Sequence, residues 1–314
     1  MKKFSNYQWV EGNPMSDRDK QETGSKFWNK GKWDNFVLPF LPKDCSEQIL
    51  VDMGCNAGIF LEQAEKKGFE RVIGIDLDKA SIMKAQAYRK RIGGKYEIQR
   101  QYFERVIDKL PIVDYTVFAN AHYYFLINTW LEYVEKLRMK TRHIVIVTAD
   151  KKRRFDHASA DIKDIQSYFR EWEQVGEVIS PPTEGDPFPR KLYGICFKNQ
   201  LIDRVPIDSL TSGNNVQNEF YKKLDKGKKY QDTKYYHIIK NYRRKNWPPK
   251  RIERYMQVKV DLYKSVKKNG LMRPITVTDY DTKHLGHQER IIDGNHRYSM
   301  MKHLGYKSVI IRKI

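Results

Sequence analysis

The sequence predicts an α/β protein: a doubly wound, mostly parallel sheet followed by a second, smaller αβ domain. Three observations predict it. Ile49 to Ala80 reads as strand, glycine turn, helix, strand and acid. Further candidate strands follow as far as Asn199. A new strand–helix–strand–turn–helix order then begins at Leu201, and the charge balance changes with it.

Taken in order, residues 1–39 precede the sheet and are rich in Trp and Lys. Lys26 to Phe40 has a helical rhythm, with Phe36, Val37 and Phe40 on the packing side. Ile49 to Met53 is a short apolar run suited to a buried parallel strand. Gly54 and Gly58 bracket a turn where backbone must approach a ligand closely. Ile59 to Lys67 has a helical pattern that ends at Gly68. Arg71 to Ile75 is the second strand, and Asp76 stands at its carboxyl end, 22 positions past Gly54. An acid at that distance can accept hydrogen bonds from ribose hydroxyls. The expected ligand is therefore a nucleoside-bearing cofactor. Five more strands are expected at Tyr96 to Gln99, Tyr115 to Ala119, His143 to Thr148, Gln174 to Ile179 and Lys191 to Lys198. Thr183 to Arg190 is a turn-rich connection between the last two.

The loop DMGCNAG departs from the dinucleotide pattern GxGxxG. It resembles motif I of the class I S-adenosylmethionine-dependent methyltransferases, D-x-G-C-G/N-x-G, and GIDLD from Gly74 to Asp78 resembles the acidic end of their second strand. The resemblance runs from about Phe40 to Asn199. It implies a seven-stranded Rossmann-like sheet whose last strand is antiparallel, with S-adenosylmethionine as cofactor. The cofactor residues it implies are Asp52, Gly54, Cys55, Asn56, Gly58, Asp76, Leu77, Gln101, Tyr102 and Asn120, the adenine falling near Gln101 to Phe103. It also implies a lid in residues 1–39, with Trp28 and Lys32 as candidates; the alternative is that these aromatics only cap the sheet. FANAHYYF, Phe118 to Phe125, stands at the family's motif IV. It has neither the D/N-P-P-Y/F of exocyclic-amine DNA methyltransferases nor the Pro-Cys of cytosine C5 enzymes, so neither reaction is expected. His122 is the candidate catalytic base, for a hydroxyl or phosphate-type oxygen; the alternative is that His122 and Tyr124 only shape the wall.

A domain boundary is expected near Asn199 to Leu201, giving domains 1–200 and 201–314. Tyr221 to Asn246 has poor turn signals and reads as helix, broken at Trp247-Pro248-Pro249. Ile252, Tyr255, Met256, Val260, Tyr263 and Val266 recur at helical spacing up to Gly270. Strands follow at Ile275 to Thr278 and Arg290 to Ile292, then an Asp293-Gly294 turn and a helix from His296 to His303. This order resembles the ParB/sulfiredoxin superfamily over Leu201 to Ile314. Asp293-Gly294-Asn295-His296-Arg297 is nearest the D-G-H-H-R form of ParB-like free-serine kinases. Asn295 stands where sulfiredoxin has its cysteine, which excludes that activity, and Asn295 and His296 replace the Glu and first Arg of ParB. The resemblance implies a nucleotide-phosphate site at Gly294, Asn295, His296 and Arg297, with ATP and magnesium as ligands. If the domain is a kinase, Asp293 is its catalytic carboxylate and Glu219 a weaker candidate. The HxxH of His284 and His287 reads as a solvent loop, and no metal site is expected.

Charge narrows the partners. Residues 1–200 hold 33 Lys/Arg against 28 Asp/Glu, net +5; residues 201–314 hold 26 against 11, net +15. A basic, aromatic-laced segment points to a polyanionic or phosphorylated acceptor, or to nucleic acid; a plain solvated surface is the alternative. Three cysteines without paired spacing, no long apolar run, and an opening MKKFSNYQWVEG without an apolar core suggest a cytoplasmic protein without a membrane span. The leading expectation is a bifunctional enzyme that phosphorylates and methylates a glycan end or small hydroxyl acceptor. The alternative is a nucleic-acid-binding module that targets a methyltransferase to DNA or RNA.

Overall fold

The computed structural model describes residues 32–149, 157–159, 161–180, 191–211, 216–280 and 288–313. Trp28, the turn at 183–190, and His284 with His287 lie outside the described residues. The chain divides into two compact units, Met1–Gln200 and Leu201–Ile314.

The first unit is built on a seven-stranded sheet. Its strands are β1 (Ile49–Met53), β2 (Arg71–Asp76), β3 (Glu97–Arg100), β4 (Val113–Ala119), β5 (Thr141–Ala149), β6 (Trp172–Ser180) and β7 (Leu192–Asn199). Their order is β3-β2-β1-β4-β5-β7-β6, and β7 runs antiparallel to both neighbours. This mixed sheet has the Rossmann-like topology that the methyltransferase resemblance implies. Helices α1 (Ile59–Lys67), α2 (Lys79–Ile92), α3 (Phe103–Val106), α4 (Ile127–Arg138) and α5 (Ile162–Tyr168) connect the strands.

Side chains of a strand alternate between faces, and here both faces are buried. Leu50 joins Phe60, Leu61 and Ala64 of α1 in one core; Val51 and Met53 join Trp130, Tyr133 and Leu137 of α4 in the other. Residues 32–36 are helical and cap the sheet. Trp33 is buried edge-on against Phe60 at 5.5 Å. A Cβ on Gly194 would fall 2.8 Å from the Phe36 carbonyl, so this segment lies directly on β7. Trp33 and Phe36 thus take the sheet-capping role.

The second unit has a five-stranded mixed sheet of β8 (Ile202–Pro206), β9 (Leu210–Thr211), β10 (Ile275–Tyr280), β11 (Gln288–Asp293) and β12 (Ser308–Lys313), in the order β8-β12-β10-β11-β9. Its helices are α6 (Val216–Asp225), α7 (Lys234–Ile238), α8 (Pro249–Asn269) and α9 (Asn295–His303). The expected helix from Tyr221 to Asn246 is corrected. Gly227 adopts φ +70°, in the left-handed region that ends helices, and Thr233 caps a new start by accepting from the Tyr236 amide. A single π-helical turn, Ile239–Arg243, then precedes the Trp-Pro-Pro break. Helix α8 buries Ile252, Met256, Val260, Tyr263 and Val266, the periodic positions expected of it.

Candidate functional site

The strand order reverses between β1 and β4, and a doubly wound sheet opens a crevice at the carboxyl ends of its strands there. The loop after β1 is folded onto the end of β2. The Gly54 and Cys55 amides both donate to the Ile75 carbonyl, at 2.8 and 3.1 Å. Asn56 holds φ +48°, and its side chain accepts from the Ala57 amide at 2.7 Å. Gly54 has φ +85°, and a Cβ there would lie 2.8 Å from the Ala121 Cβ, so only glycine lets the loops after β1 and β4 approach this closely.

Two carboxylates define the electrostatics. Asp52 is buried, and neither of its oxygens has a hydrogen-bond partner among the described residues. Burial, and then the negative charge of Asp76, push its pKa up to about 8. Asp76 is the staple of the loop: one oxygen accepts from the Asn56 amide and the other from the Asp78 amide, each at 2.9 Å. Its pKa is raised by burial, against the pull of those two amides. Asp78 caps α2, accepting from the Ser81 amide at 2.8 Å and hydroxyl at 2.7 Å.

The remaining candidates rim the same strand ends. The Gln101 amide donates to the Asp76 carbonyl at 3.1 Å. Leu77 and Tyr102 are exposed apolar side chains at the ends of β2 and β3. Asn120 follows β4 at φ +56°, with its side-chain oxygen buried and unpartnered among the described residues. Cys55 is buried, and its thiol pKa is raised by burial and by Asp52, which makes it an inert wall.

His122 is fully buried, its Nε2 lies 3.0 Å from the Ser159 carbonyl, and its ring packs near Trp130. In this arrangement it anchors the loop after β4 and presents no surface to a substrate. A base role at His122 would need this ring uncovered, and Tyr124, which the alternative reading places with it in the wall, is 60 % exposed. Phe103, the last residue of the stretch expected near the adenine, stacks on Phe125 at 5.4 Å. The apolar patterning of 103–106 is too short to mark a helix.

The second unit brings Asp293 to Arg297 together at one turn. Gly294 holds φ +100° before α9. The Arg297 guanidinium donates to the Asp293 carboxylate at 2.7 Å and to the Pro274 carbonyl. Both ring nitrogens of His296 meet tyrosine hydroxyls, Tyr221 at 2.9 Å and Tyr235 at 2.8 Å. Sequence spacing gave no sign of these tyrosines, because residues 221, 235 and 296 meet only through the fold. Asn295 sits half-exposed at the first turn of α9. Glu219 pairs with Lys223 at 2.9 Å. Among the described residues no group of three His, Cys, Asp or Glu could hold a metal ion. None of the described helices is long and apolar enough to cross a membrane.

No protein-family model matches the chain. The ribosomal protein L11 methyltransferase of Pseudoalteromonas atlantica is 40 % identical over 57 residues. That match spans 18 % of this chain and about a fifth of the relative's length. Among solved structures, the chain is similar to the N-methyltransferase NodS of Bradyrhizobium japonicum in complex with S-adenosyl-L-homocysteine. The identity is 17 % over 59 % of this chain and 93 % of that one, with a TM-score of 0.47. A SAM-dependent methyltransferase of Archaeoglobus fulgidus is 14 % identical over 58 % of this chain and 97 % of its own, with a TM-score of 0.46.

Proposed function

We propose that the first unit is an S-adenosylmethionine-dependent methyltransferase. The observation that carries this reading is Asp52. A buried carboxylate with two unpartnered oxygens at a strand end is costly unless a cation or donor completes it. The ammonium of a bound methionine moiety is such a group. The residues fit the rest of the cofactor as well. Asp76 keeps lone pairs for ribose hydroxyls beyond its two amide bonds, and Leu77 and Tyr102 offer apolar surface for adenine beside Gln101. Gly54, Cys55, Asn56 and Gly58 supply the close backbone approach, and the Asn120 amide oxygen is a second acceptor. When bound, the cofactor supplies the electrophilic methyl group. The chain's own part is to orient it, exclude water and position the acceptor. Because His122 is enclosed, a base role is not assigned to it.

The second unit is read as ParB/sulfiredoxin-like, on its order of strand, helix, strand, Asp-Gly turn and helix. Its nucleotide-phosphate reading rests on Gly294 and Asn295 at the start of α9. Asp293 and Arg297 already neutralise one another and His296 is held by two tyrosines, so a kinase step is not carried into the proposal. The protein is proposed to act in the cytoplasm. Calorimetry with S-adenosylmethionine and S-adenosylhomocysteine tests the main reading. Asp76→Ala should weaken binding by about 1.5–3 kcal/mol, the worth of hydrogen bonds to a charged group. Equal affinity in wild type and variant would refute the site.

A further inference from the structure

The second unit carries a ladder of cations and aromatic rings that no methyl-transfer chemistry uses. It begins at Arg244, whose guanidinium carbon lies 4.7 Å from the centre of the Trp247 ring. Arg251, on the first turns of α8, lies 4.2 Å from the same ring. Trp247 meets Tyr255 edge-on at 5.8 Å, and the Lys259 ammonium sits 5.0 Å from the Tyr255 ring. The Tyr255 hydroxyl then bonds Tyr235 at 3.2 Å, and Tyr235 bonds His296 at 2.8 Å. The ladder therefore leads from an exposed basic turn to the start of α9.

Its charge is uncompensated. Between residues 234 and 259 there are nine Lys/Arg and a single acid, Glu253. Elsewhere in the unit several cations are paired: Lys223 with Glu219, Lys267 with Asp225, Lys302 with Asp208. Arg244, Arg251 and Lys259 make no ion pair among the described residues, and both arginines are exposed. A run of like charge on one surface attracts anionic partners.

The partner's chemistry follows from the rest of the surface. A membrane-binding helix needs a free apolar face. The apolar face of α8 is already spent: Ile252, Met256 and Val260 are buried in the unit's core. What remains is aromatic and basic: half-buried Trp247 and Tyr255 beside guanidinium and ammonium groups, with Tyr242 at 76 % exposure on the neighbouring π-turn. Rings and guanidinium planes offer stacking faces to unpaired bases, and the cations between them meet the phosphates. A duplex hides its base faces and would use only the charge.

We propose that residues 242–259 form a docking track for single-stranded nucleic acid, with Arg244, Trp247, Arg251, Tyr255 and Lys259 as its contact line. From Arg251 to Lys259 the helix rises about 12 Å, which matches about three nucleotides. With three to four phosphates neutralised, the log–log salt slope for a single strand is about −2 to −3. The track and its test are independent of the chemistry of the first unit.

The test is fluorescence anisotropy of the full chain with labelled oligouridylate, oligothymidylate and a duplex of equal length, over a salt series. Wild type should bind the single strands more tightly than the duplex, with the slope above. The double variant Arg244→Gln/Arg251→Gln should lose about 1.4 from the magnitude of the slope. Trp247→Leu should weaken binding about fivefold or more with the slope unchanged. The charge-matched control Lys226→Gln/Lys228→Gln, exposed lysines off the ladder, should behave nearly as wild type. Thermal denaturation of each variant identifies any that fails to fold, and the arginine pair, whose side chains are exposed, keeps the test decisive if Trp247→Leu does. The proposal is overturned by no binding at low salt, by equal losses in the arginine and control pairs, by preference for duplex, or by binding to phosphatidylserine vesicles alone.

Discussion

Asp52→Asn separates what this residue does for stability from what it does for binding. With a pKa raised to about 8 in the folded chain and near 3.9 when unfolded, Asp52 holds a proton in the folded state that the unfolded state has lost. The stabilisation from that extra proton is full below about pH 4 and is lost as pH rises to 8. At 1.36 kcal/mol per unit, the wild type should lose about 2 kcal/mol between pH 6 and pH 8 that the amide variant does not lose. Urea denaturation of the full chain at the two pH values reads this difference. Binding should move the other way. A cofactor ammonium favours the ionised carboxylate, so at pH 7 binding should release a proton from Asp52 in much of the wild type and none from position 52 of the variant. Calorimetry in buffers of different ionisation enthalpy measures that proton. Affinity for S-adenosylhomocysteine should fall in the variant while its unliganded form is the more stable at pH 8. A stability gap that does not change between pH 6 and 8, together with equal proton release, would refute both the burial argument and the assignment.

Two further outcomes test the packing. Gly74→Ala places a Cβ 2.4 Å from Leu61 Cδ1 and 2.9 Å from Cys55 Sγ, so it should cost about 1–3 kcal/mol in urea denaturation by overpacking α1 against β2; a wild-type midpoint would show that the helix can shift freely. Asp225 accepts from Tyr263, His303 and Lys267, at 2.7, 2.7 and 2.8 Å. Burial opposes its charge, but those three bonds win and lower its pKa to about 2. Its stabilisation is present above about pH 4 and is lost as pH falls through 2. Because the group is a third exposed, Asp225→Asn should cost only about 1 kcal/mol at pH 7, and the difference from wild type should shrink in acid.

The sequence by itself determined the fold class and most strands of the first unit. Apolar runs near glycine marked β1 and β2, because a parallel strand buried on both faces is mostly apolar along its length. Gly54, Gly58 and Asp76 were legible as one unit because backbone φ and strand–turn–helix spacing are local properties. The helical period of 252–266 was legible for the same reason. What only the tertiary structure decided depends on contacts between distant residues. His122 looked available at the end of β4, yet its ring is buried and its Nε2 meets the carbonyl of Ser159, 37 positions away. Arg297 reads from the sequence as part of a phosphate site, yet Pro274 and Asp293 each accept one of its hydrogen bonds. Local patterning reports which way a side chain leaves its own strand or helix. It does not report what arrives from elsewhere to fill the space, and for a charged or titratable group that arrival sets burial, pairing and pKa.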